Sequence, residues 1–560
     1  MKIAFSAFVL LMISIEAASG QPAAPRPNII MIIGDDMRYD SFEPTGGPSW
    51  FDSPSINRIA YEGASFENYY CVYSLCTPSR STMMTGLYAH SNGSIDGDTP
   101  YFPWLPTIAT ILDSAGYHTG MIGKFGVYFV PQPGWDYWMG RTKFANGEYL
   151  DPKFNVNGIV KTIEGNVTQI ITDTTYRLVS EIDTPFFLCI GHQAPHQPAI
   201  ALPASEGIYA SEEMPVPANF FPYNSFYPSF LYANVPPLTE TVIVSDLEKY
   251  FECLKDIDRN IEDIFDVLSD RNLLDNTLLM FTSDNGFLFG EHALKGKELP
   301  YDPSIKLPMF IRYPAWFNAN TLVKIPMGLT VDIAPTLLEA AGVNEEPYHF
   351  QGLSLHKLAN GELTRDKMLY ENIKYADTTG KFRPSIRSIR SNNYKYNLYF
   401  CEELTEEFFD LEADPAENFN LIKDLQHADL INQYRYELDS MRIALNDTLA
   451  ADNVLKPCYL VINRQIESIN YVEDPFPVLD ILSNPFKETI TARFSTSSKG
   501  PVEIFVYNQL GQLMFSDKIM TENIGNRPTL NFDASYLPAG IYCLTARQNG
   551  KLCNEFIVKE

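Results

Sequence analysis

Short apolar runs alternate with polar loops and helical stretches from Pro27 to about residue 360. Four of these runs are short and bounded by polar residues, which favours buried strands over segments of buried helix. They lie at 28–33, 118–123, 185–191 and 277–283. Helical patterns lie between them, at 107–116 and 245–270. The alternation predicts an α/β domain with a mainly parallel sheet.

The pattern changes after residue 365. Residues 366 to about 455 combine two strand-like stretches with a helical one, which predicts a small α+β subdomain. The proline-rich stretch VEDPFPVLDILSNPF indicates a linker, and strand alternation with glycine-containing turns then predicts a separate all-β sandwich. The expected units are an α/β domain (21–365), its C-terminal subdomain (366–460), a linker (461–484) and a β-sandwich (485–560).

The first residues, MKIAFSAFVLLMISIEAASG, have the pattern of a secretory signal peptide, 1–20. Lys2 supplies the positive start, 4–15 form an apolar run, and 18–20 are small residues suited to cleavage. The apolar run is too short to span a bilayer, and we expect no transmembrane span elsewhere.

The composition excludes some classes of protein. With 560 residues and 45% hydrophobic residues the chain can bury large cores, and its net charge of -27 argues against nucleic-acid binding. An anionic substrate would need a local cluster of Lys and Arg. Eight cysteines do not make a disulfide scaffold. A two-residue turn at Asn549-Gly550 would pair Cys553 with Ala546, which disfavours a Cys543–Cys553 bridge.

Polar residues follow each of the four predicted strands. In an open α/β sheet, ligands bind beyond the carboxyl ends of the strands. A single Asp there is usually a turn former, but the GDD and SDNG sequences together indicate an oxygen-rich site for Ca²⁺ or Mg²⁺ and not for Zn²⁺. The residues at these ends are Asp35, Asp36, Lys124, His192, His196, Asp284 and Asn285.

The stretch CTPSRSTMMTG, 76–86, predicts a helix with Pro78 in its first turn, Thr77 as its cap and Gly86 as its stop. Cys76 then lies at a helix N-terminus, which favours an anion, and Arg80 lies one turn further on. The alternatives are a buried structural thiol, or a metal or disulfide formed with Cys71.

These motifs resemble type I sulfatases over roughly residues 27–455. The resemblance rests on CTPSR with its trailing TG, PNIIMIIGDDMRYD, LLMFTSDNG, GEHALKGKELPYDPSIKLPMFIRYP and EEFFDLEADPAENFNL. It implies the alkaline-phosphatase-like fold, which agrees with the predicted α/β domain. It also implies a sulfatase, a sulfuric ester hydrolase in which a maturation enzyme oxidises the cysteine to formylglycine.

Carried over residue by residue, the resemblance implies specific roles. The formylglycine hydrate at Cys76 would be the nucleophile, and His196 would protonate the leaving sugar oxygen. Positive side chains would hold sulfate oxygens, namely Arg80, Lys124 and Lys297. One Ca²⁺ would bind to Asp35, Asp36, Asp284, Asn285 and the modified Cys76. Without the resemblance, Lys297 would pass for a solvated loop lysine, and His192 is expected to be structural.

The chain departs from the common family pattern after Lys124. Many members read Gly-Lys-Trp-His, whereas this chain reads Gly-Lys-Phe-Gly, so Gly126 replaces a histidine that assists sulfate release. His90 is a candidate substitute. The same departure, the QPGWD segment at 132–136 and the KGK-x-x-PYD loop resemble glucosamine-6-sulfatases. The resemblance is therefore closest to carbohydrate 6-sulfatases.

The last stretch, EIFVYNQLGQLMFS followed by LPAGIYCLTARQNGKLCNEFIVKE, resembles the sorting domain of the Bacteroidetes type IX (Por) secretion system. The alternative is a carbohydrate-binding β-module. The resemblance implies a secreted or cell-surface-attached protein with the type IX machinery as a partner.

The expected substrate is a sulfated polysaccharide or its oligosaccharides. Algal polymers such as ulvan, carrageenan or fucoidan, and glycosaminoglycans, fit this expectation. Two other functions remain as alternatives: a phosphodiesterase or phosphonate hydrolase of the same superfamily, and an inactive polysaccharide-binding protein with an unconverted Cys76.

Overall fold

The structure is a computed structural model that describes residues 26–142, 148–220, 228, 238–324, 326–373, 384–400, 405–447, 479–481, 486–494, 500–508, 513–521, 529–548 and 551–559. The predicted signal peptide and most of the predicted linker lie outside these residues.

Strands occur along the whole described chain. They are β1 Asn28–Gly34, β2 Ala64–Phe66, β3 Tyr69–Tyr70, β4 His118–Gly123, β5 Tyr137–Arg141, β6 Lys153–Val156, β7 Ile159–Thr162, β8 Phe186–Gly191, β9 Thr277–Ser283, β10 Leu288–Phe289, β11 Lys295–Gly296, β12 Met309–Arg312, β13 Thr321–Val323, β14 Gly328–Leu329, β15 Lys367–Asn372, β16 Ser385–Ser391, β17 Tyr394–Phe400, β18 Thr405–Asp410, β19 Leu479–Ile481, β20 Thr489–Phe494, β21 Gly500–Asn508, β22 Leu513–Thr521, β23 Thr529–Asp533, β24 Gly540–Gln548 and β25 Lys551–Lys559.

The α-helices lie between Pro54 and Ala444. They are α1 Pro54–Tyr61, α2 Cys76–Thr85, α3 Ala89–Asn92, α4 Ile108–Ser114, α5 Val167–Glu181, α6 Glu240–Asp270, α7 Asp302–Ile305, α8 Ile333–Ala340, α9 Leu355–Ala359 and α10 Ala428–Ala444.

A ten-stranded mixed sheet forms the centre of the large domain, in the order β13-β2-β12-β9-β1-β8-β4-β5-β6-β7. Its middle five strands, β9-β1-β8-β4-β5, are parallel. Antiparallel pairings occur towards both edges, where β12 meets β9 and β6 meets β5. The four strands predicted from the sequence are all in the parallel centre, which confirms the predicted α/β class.

Two hydrophobic cores lie on opposite faces of this sheet because side chains alternate along each strand. On β1, Ile29, Met31 and Ile33 belong to one core, whereas Ile30 and Ile32 belong to the other. Residues of α2, α4 and α8 contribute to the first core, and residues of α1, α5 and α6 to the second. Covering both faces explains why β1 is buried along its entire length.

The predicted α+β subdomain is a four-stranded antiparallel sheet, β15-β16-β17-β18, with α10 packed against it. Its apolar residues, such as Leu369, Ile389 and Tyr396, belong to the same core as α2 and α8. This sheet is therefore packed onto the large domain.

The C-terminal region has a core of its own. A three-stranded sheet, β19-β20-β23, and a four-stranded sheet, β22-β21-β24-β25, both contribute side chains to it, as expected of a sandwich. Cys553 pairs with Ala546 across the β24–β25 hairpin, as the sequence predicted. In the described part of the chain, no helix has the length and apolarity needed to cross a membrane.

Candidate active site

The predicted site residues come together at the carboxyl edge of the parallel strands. Asp35 and Asp36 follow β1, Lys124 follows β4, and Asp284 and Asn285 follow β9. These strands are neighbours or next neighbours in the sheet, so their ends meet at one place. Asp36 has φ of +69°, a left-handed conformation that is uncommon for a non-glycine residue and frequent at functional sites.

Helix α2 brings Cys76 to the same place. The helix begins at Cys76 and ends at Gly86, whose φ of +64° provides the predicted stop. The predicted cap is wrong: Leu75 is the capping residue, and Thr77 lies inside the first turn. The Thr77 hydroxyl contacts the carbonyl oxygens of Gly97 and Gly126, at 2.9 and 2.7 Å, and so fixes the helix start against two loops.

Three ionisable side chains contact the sulfur of Cys76. Lys297 Nζ lies 2.8 Å from Cys76 Sγ, Lys124 Nζ lies 3.7 Å from it, and the thiol donates to Asp35 Oδ1 at 3.4 Å. Lys297 therefore belongs to the site and is not a solvated loop lysine. Burial, followed by the negative charge of Asp35, raises the pKa of the Cys76 thiol to about 12, so the unmodified thiol remains protonated.

Carboxylate oxygens cluster next to the Cys76 sulfur. Side-chain ligand atoms of Asp35, Cys76 and Asp284 lie within 4.8 Å of one another, and so do those of Asp35, Asp36 and His196. The Asn285 amide joins them by donating to Asp36 Oδ1 at 2.5 Å. Asp35 and Asp284 are completely buried, and buried carboxylates need nearby positive charge. This donor set fits a hard divalent cation such as Ca²⁺ or Mg²⁺.

Lysine side chains compensate these charges. Lys124 Nζ contacts Asp35 Oδ2, and Lys297 Nζ contacts Asp36 Oδ1. Burial alone would raise the pKa of Asp35, but the positive charges, first of all that of Lys124, hold it well below its ordinary value. Burial would likewise lower the pKa of Lys297, yet Asp36 and Cys76 raise it well above its ordinary value. The site thus sets three cationic side chains against three carboxylates, in the pairs Lys124–Asp35, Lys297–Asp36 and Arg80–Asp284.

Arg80 forms a buried ion pair with Asp284. It is only 2% exposed, its Nε donates to Asp284 Oδ2 at 2.7 Å, and its Nη1 donates to the Lys124 carbonyl at 2.5 Å. Burial raises the pKa of Asp284 despite this pairing. Ser79 adds a second tie, since its hydroxyl donates to the Asp284 carbonyl at 2.5 Å. Arg80 therefore links α2 to two strand ends.

His196 lies at the rim of the cluster. Its Nε2 is 3.9 Å from Asp36 Oδ2, and its Nδ1 lies 2.7 Å from the Gln197 carbonyl oxygen. Because a carbonyl only accepts, Nδ1 carries a hydrogen and Nε2 is the nitrogen that can exchange a proton. His192 is completely buried, and burial lowers its pKa to about 4, so it is neutral, as expected of a structural residue.

His90 is not available as a substitute for the missing histidine, and that suggestion is wrong. Its Nδ1 pairs with Glu371 Oε2 at 2.7 Å, and its Nε2 lies 3.0 Å from the Leu445 carbonyl oxygen. Both ring nitrogens are therefore bound by residues of the C-terminal subdomain. Glu371 lies on β15 of the four-stranded sheet, and Leu445 follows α10. No local motif indicates these partners, which are 281 and 355 residues away along the chain.

Tyr149 is a residue that the sequence analysis missed. It is completely buried, and its hydroxyl donates to the His196 carbonyl at 2.6 Å, with the Gln193 carbonyl at 3.3 Å. No local motif surrounds it, and 47 residues separate it from His196. Only the folded structure shows that it fixes the loop carrying His196.

Comparison with known families and proteins adds independent findings. The family model named Sulfatase matches residues 27–343, more than half of the chain. The model N-sulphoglucosamine sulphohydrolase, C-terminal, matches 290–444, and the model Secretion system C-terminal sorting domain matches 481–560. An N-acetylglucosamine-6-O-sulfatase of Bacteroides thetaiotaomicron is 29% identical over 476 residues, covering 72% of this chain and 84% of the relative.

Solved structures share the fold. A structure in complex with its substrate D-glucosamine-2-N,6-O-disulfate superposes with a TM-score of 0.69 and 26% identity, covering 77% of this chain and all of the other. A phosphonate monoester hydrolase of Agrobacterium radiobacter superposes with a TM-score of 0.64 and 20% identity, covering 76% and 97%. The second likeness concerns the fold alone.

Proposed function

Because the chain belongs to the sulfatase family, we propose that it hydrolyses sulfate esters of an extracellular sulfated carbohydrate, with Cys76 converted to formylglycine. The observation that carries this proposal is the convergence on Cys76 of two lysines and a buried carboxylate, at the carboxyl edge of the sheet. The reaction consumes one water and yields a sugar hydroxyl and inorganic sulfate.

The proposed substrate is a 6-sulfated glucosamine-type sugar within a glycosaminoglycan-like chain. A relative at 29% identity is an N-acetylglucosamine-6-O-sulfatase, and a solved structure at 26% identity holds a 6-O-sulfated glucosamine. In a protein of net charge -27, an anionic ester would be attracted by the two lysines beside residue 76 together with the proposed Ca²⁺.

The groups added to the chain supply part of the chemistry. When present, the formylglycine hydrate would supply a nucleophilic hydroxyl, and one bound Ca²⁺ would supply positive charge. The side chains that would hold the ion are Asp35, Asp36, Asp284, Asn285 and residue 76. Their all-oxygen donor set and the compensation that their burial requires support this assignment.

The chain's own residues do the rest. Lys124 and Lys297 flank residue 76 and would hold sulfate oxygens while negative charge builds up. Arg80 reaches the site chiefly through Asp284 and so positions a metal ligand, and we retain its direct contact with sulfate as a prediction. His196 has Nδ1 bound to the Gln197 carbonyl and Nε2 on the side of Asp36, and from there it would protonate the leaving sugar oxygen.

Secretion is the second part of the proposal. The sorting-domain match at 481–560 indicates type IX secretion, and the signal-peptide pattern at 1–20 would provide the first export step. A formylglycine-generating maturation enzyme would act before the catalytic domain folds, because Cys76 is only partly accessible in the folded chain.

The decisive experiment follows position 76. Mass analysis of the tryptic peptide should show an aldehyde or its hydrate in place of the thiol, and Cys76→Ala should abolish sulfate release. Cys253→Ala, which removes another buried thiol on α6, is the matched control and should retain activity. An unconverted thiol would identify an inactive binding protein, and full activity of Cys76→Ser would refute the covalent mechanism.

Substrate class is tested separately. Turnover should be far higher on aryl sulfate than on aryl phosphate or phosphonate, and the reverse order would favour the phosphonate hydrolase alternative. A panel of 6-sulfated glucosamine oligosaccharides, ulvan, carrageenan and fucoidan fragments should show sulfate release mainly from the first set. Activity on aryl or steroid sulfates with none on any carbohydrate would overturn the proposed substrate.

A further inference from the structure

Two exposed aromatic side chains in the loop between α3 and α4 form a stacked pair. Trp104 is 73% exposed and Phe102 39% exposed, and their rings lie 4.7 Å apart with an interplanar angle of 7°. A single exposed aromatic residue needs no explanation, but one whose ring is held parallel to a second leaves a flat apolar face open to solvent.

Close packing and the flanking prolines restrict the position of this pair. A Cβ placed on Gly93 would come within 2.5 Å of the Phe102 ring, so that ring rests directly on the glycine backbone. The Phe102 amide donates to the Asn92 carbonyl at 2.8 Å. The flanking sequence, PYFPWLP, contains three prolines at 100–106, which restrict the backbone on both sides of Trp104. The Phe102 ring therefore lies between the Gly93 backbone and the Trp104 ring, and the outer face of Trp104 is exposed to solvent.

The loop that leads to this stack is attached to the helix that begins at Cys76. This loop is joined to α2 by Thr77, which contacts the Gly97 carbonyl at 2.9 Å, and by the Ser81–Ser94 hydroxyl contact at 2.9 Å. Trp104 is seven residues from Gly97, so the two are at most ~25 Å apart. A polymer held at residue 76 could therefore reach Trp104 within a few sugar units.

The charge of this segment indicates what it would bind. No Lys or Arg occurs from 81 to 123, whereas Asp96, Asp98 and Asp113 do. Within this segment a sulfated ring would meet carboxylates and no lysine or arginine. An uncharged sugar ring instead offers axial C–H groups to the indole face and hydroxyls to the neighbouring carboxylates.

We propose that the Phe102–Trp104 stack is a distal sugar-binding subsite that holds an unsulfated pyranose of the same carbohydrate chain whose sulfated unit lies at residue 76. This inference rests on the proposed function, since it requires a carbohydrate substrate longer than one sugar. It gives the enzyme a preference for sparsely sulfated oligosaccharides.

The test compares three proteins: the mature wild type, Trp104→Ala and Tyr436→Ala. Tyr436 is 74% exposed on α10 and serves as the matched control for removing an exposed aromatic side chain. The substrates are 4-nitrophenyl sulfate, 6-sulfated N-acetylglucosamine, and a hexasaccharide of N-acetylglucosamine with a single 6-sulfate. Wild type should show a lower KM for the hexasaccharide than for the monosaccharide.

Trp104→Ala should raise the KM for the hexasaccharide about tenfold, the scale of one lost aromatic stacking contact. Its kcat on all substrates and its KM for the two small ones should stay within twofold of wild type. Trp104→Phe should recover part of the lost affinity, and Tyr436→Ala should behave as wild type. An unchanged hexasaccharide KM in Trp104→Ala, or no length preference in wild type, overturns the subsite but leaves the sulfatase function intact.

Binding without turnover separates the two proposals. The unsulfated hexasaccharide should bind Cys76→Ala in calorimetry and bind Cys76→Ala/Trp104→Ala about tenfold more weakly. If no carbohydrate is hydrolysed but this difference remains, the proposed function fails, and the stack is a carbohydrate-binding site without the proposed link to residue 76. If Trp104→Ala instead converts a dimer into a monomer in sedimentation, the stack is an interface between copies and the subsite is wrong.

Discussion

Replacing Tyr149 with phenylalanine tests how the fold positions His196. The hydroxyl of Tyr149 donates to the His196 carbonyl at 2.6 Å, from a completely buried position. That carbonyl also accepts from the Ala199 amide at 3.1 Å, so it keeps one partner in the variant. We therefore expect a modest loss of stability, about 1 kcal/mol.

The catalytic effect should be larger than the loss of stability suggests. General acids contribute roughly 10²–10⁴-fold, and a misplacement of about 1 Å can cost ~10²-fold. Loss of one of the contacts that hold the 193–199 loop should displace His196 by less than this, so we expect kcat on a sugar 6-sulfate to fall about tenfold. Turnover of 4-nitrophenyl sulfate should change less than twofold, since nitrophenolate leaves without a proton.

Two comparisons make the prediction specific. Tyr434→Phe removes a buried hydroxyl that donates to Ser391 Oγ, also at 2.6 Å. It should lower stability without changing the ratio of kcat on the sugar 6-sulfate to kcat on 4-nitrophenyl sulfate. In a His196→Ala background, Tyr149→Phe should cause little further loss of kcat because the two changes act through one group. Equal losses on both substrates, or additive losses in the double variant, would refute the positioning role.

Further predictions concern the metal, the pH dependence and the sorting domain. Chelation should abolish turnover and lower Tm, with Ca²⁺ restoring both. Asp284→Ala leaves the buried Arg80 without its carboxylate partner, so Ca²⁺ should restore neither activity nor Tm in this variant, and the loss of stability should be about 3–5 kcal/mol. Restoration by Zn²⁺ alone would contradict the assignment. Burial would lower the pKa of His90, but Glu371 raises it, so the pair stabilises the fold below the ordinary pKa of histidine, and this contribution is lost as pH rises through the raised value. Urea unfolding should therefore show His90→Gln less stable than wild type at pH 5 and the gap narrowing at higher pH; a constant gap would exclude the pairing. Deleting 481–560, which has a separate core, should leave aryl sulfate kcat/KM within twofold but retain the enzyme in the cell, and normal release would contradict the sorting role.

The parts of the site that follow strands could be predicted from the sequence. A buried parallel strand has a near-continuous apolar run, and its carboxyl end is marked by the first polar residues after it, as at Asp35 and Asp284. The position of Lys297 could not be derived in this way. Its loop is fixed by distant contacts, with the Glu298 amide donating to the Ser74 carbonyl and Asn372 donating to the Glu298 carbonyl. Only the resemblance to a family indicated its role.

The wrong prediction of Thr77 as the helix cap is also explained by contacts with distant parts of the chain. A threonine just before a proline in a first turn fits the local rules for a cap, which compare only nearby backbone donors. In the folded chain its hydroxyl instead contacts carbonyls of two loops that are 20 and 49 residues away. Long-range partners also explain why Tyr149 and the pairing of His90 were not visible in the sequence.

The backbone of Gly126 packs closely against the side chain of Arg80. Gly126 has φ of +78°, and a Cβ there would lie 2.9 Å from Arg80 Cδ. A histidine, which many family members carry at this point, would have to displace an arginine that bonds to Asp284 and to the Lys124 carbonyl. A side chain at position 126 would therefore press on the same arginine that pairs with the buried Asp284.

The same geometry limits what can replace that histidine. Among the described residues, the ionisable groups within contact of the Cys76 sulfur are Asp35, Lys124 and Lys297. Asp35 is tied to Lys124, whereas Lys297 comes from a loop outside the central sheet and lies nearest to the sulfur, at 2.8 Å. Lys297 also pairs with Asp36, and the negative groups around it hold its pKa well above the ordinary value. It therefore stays protonated and supplies positive charge beside residue 76, but it does not take up a proton as the missing histidine would.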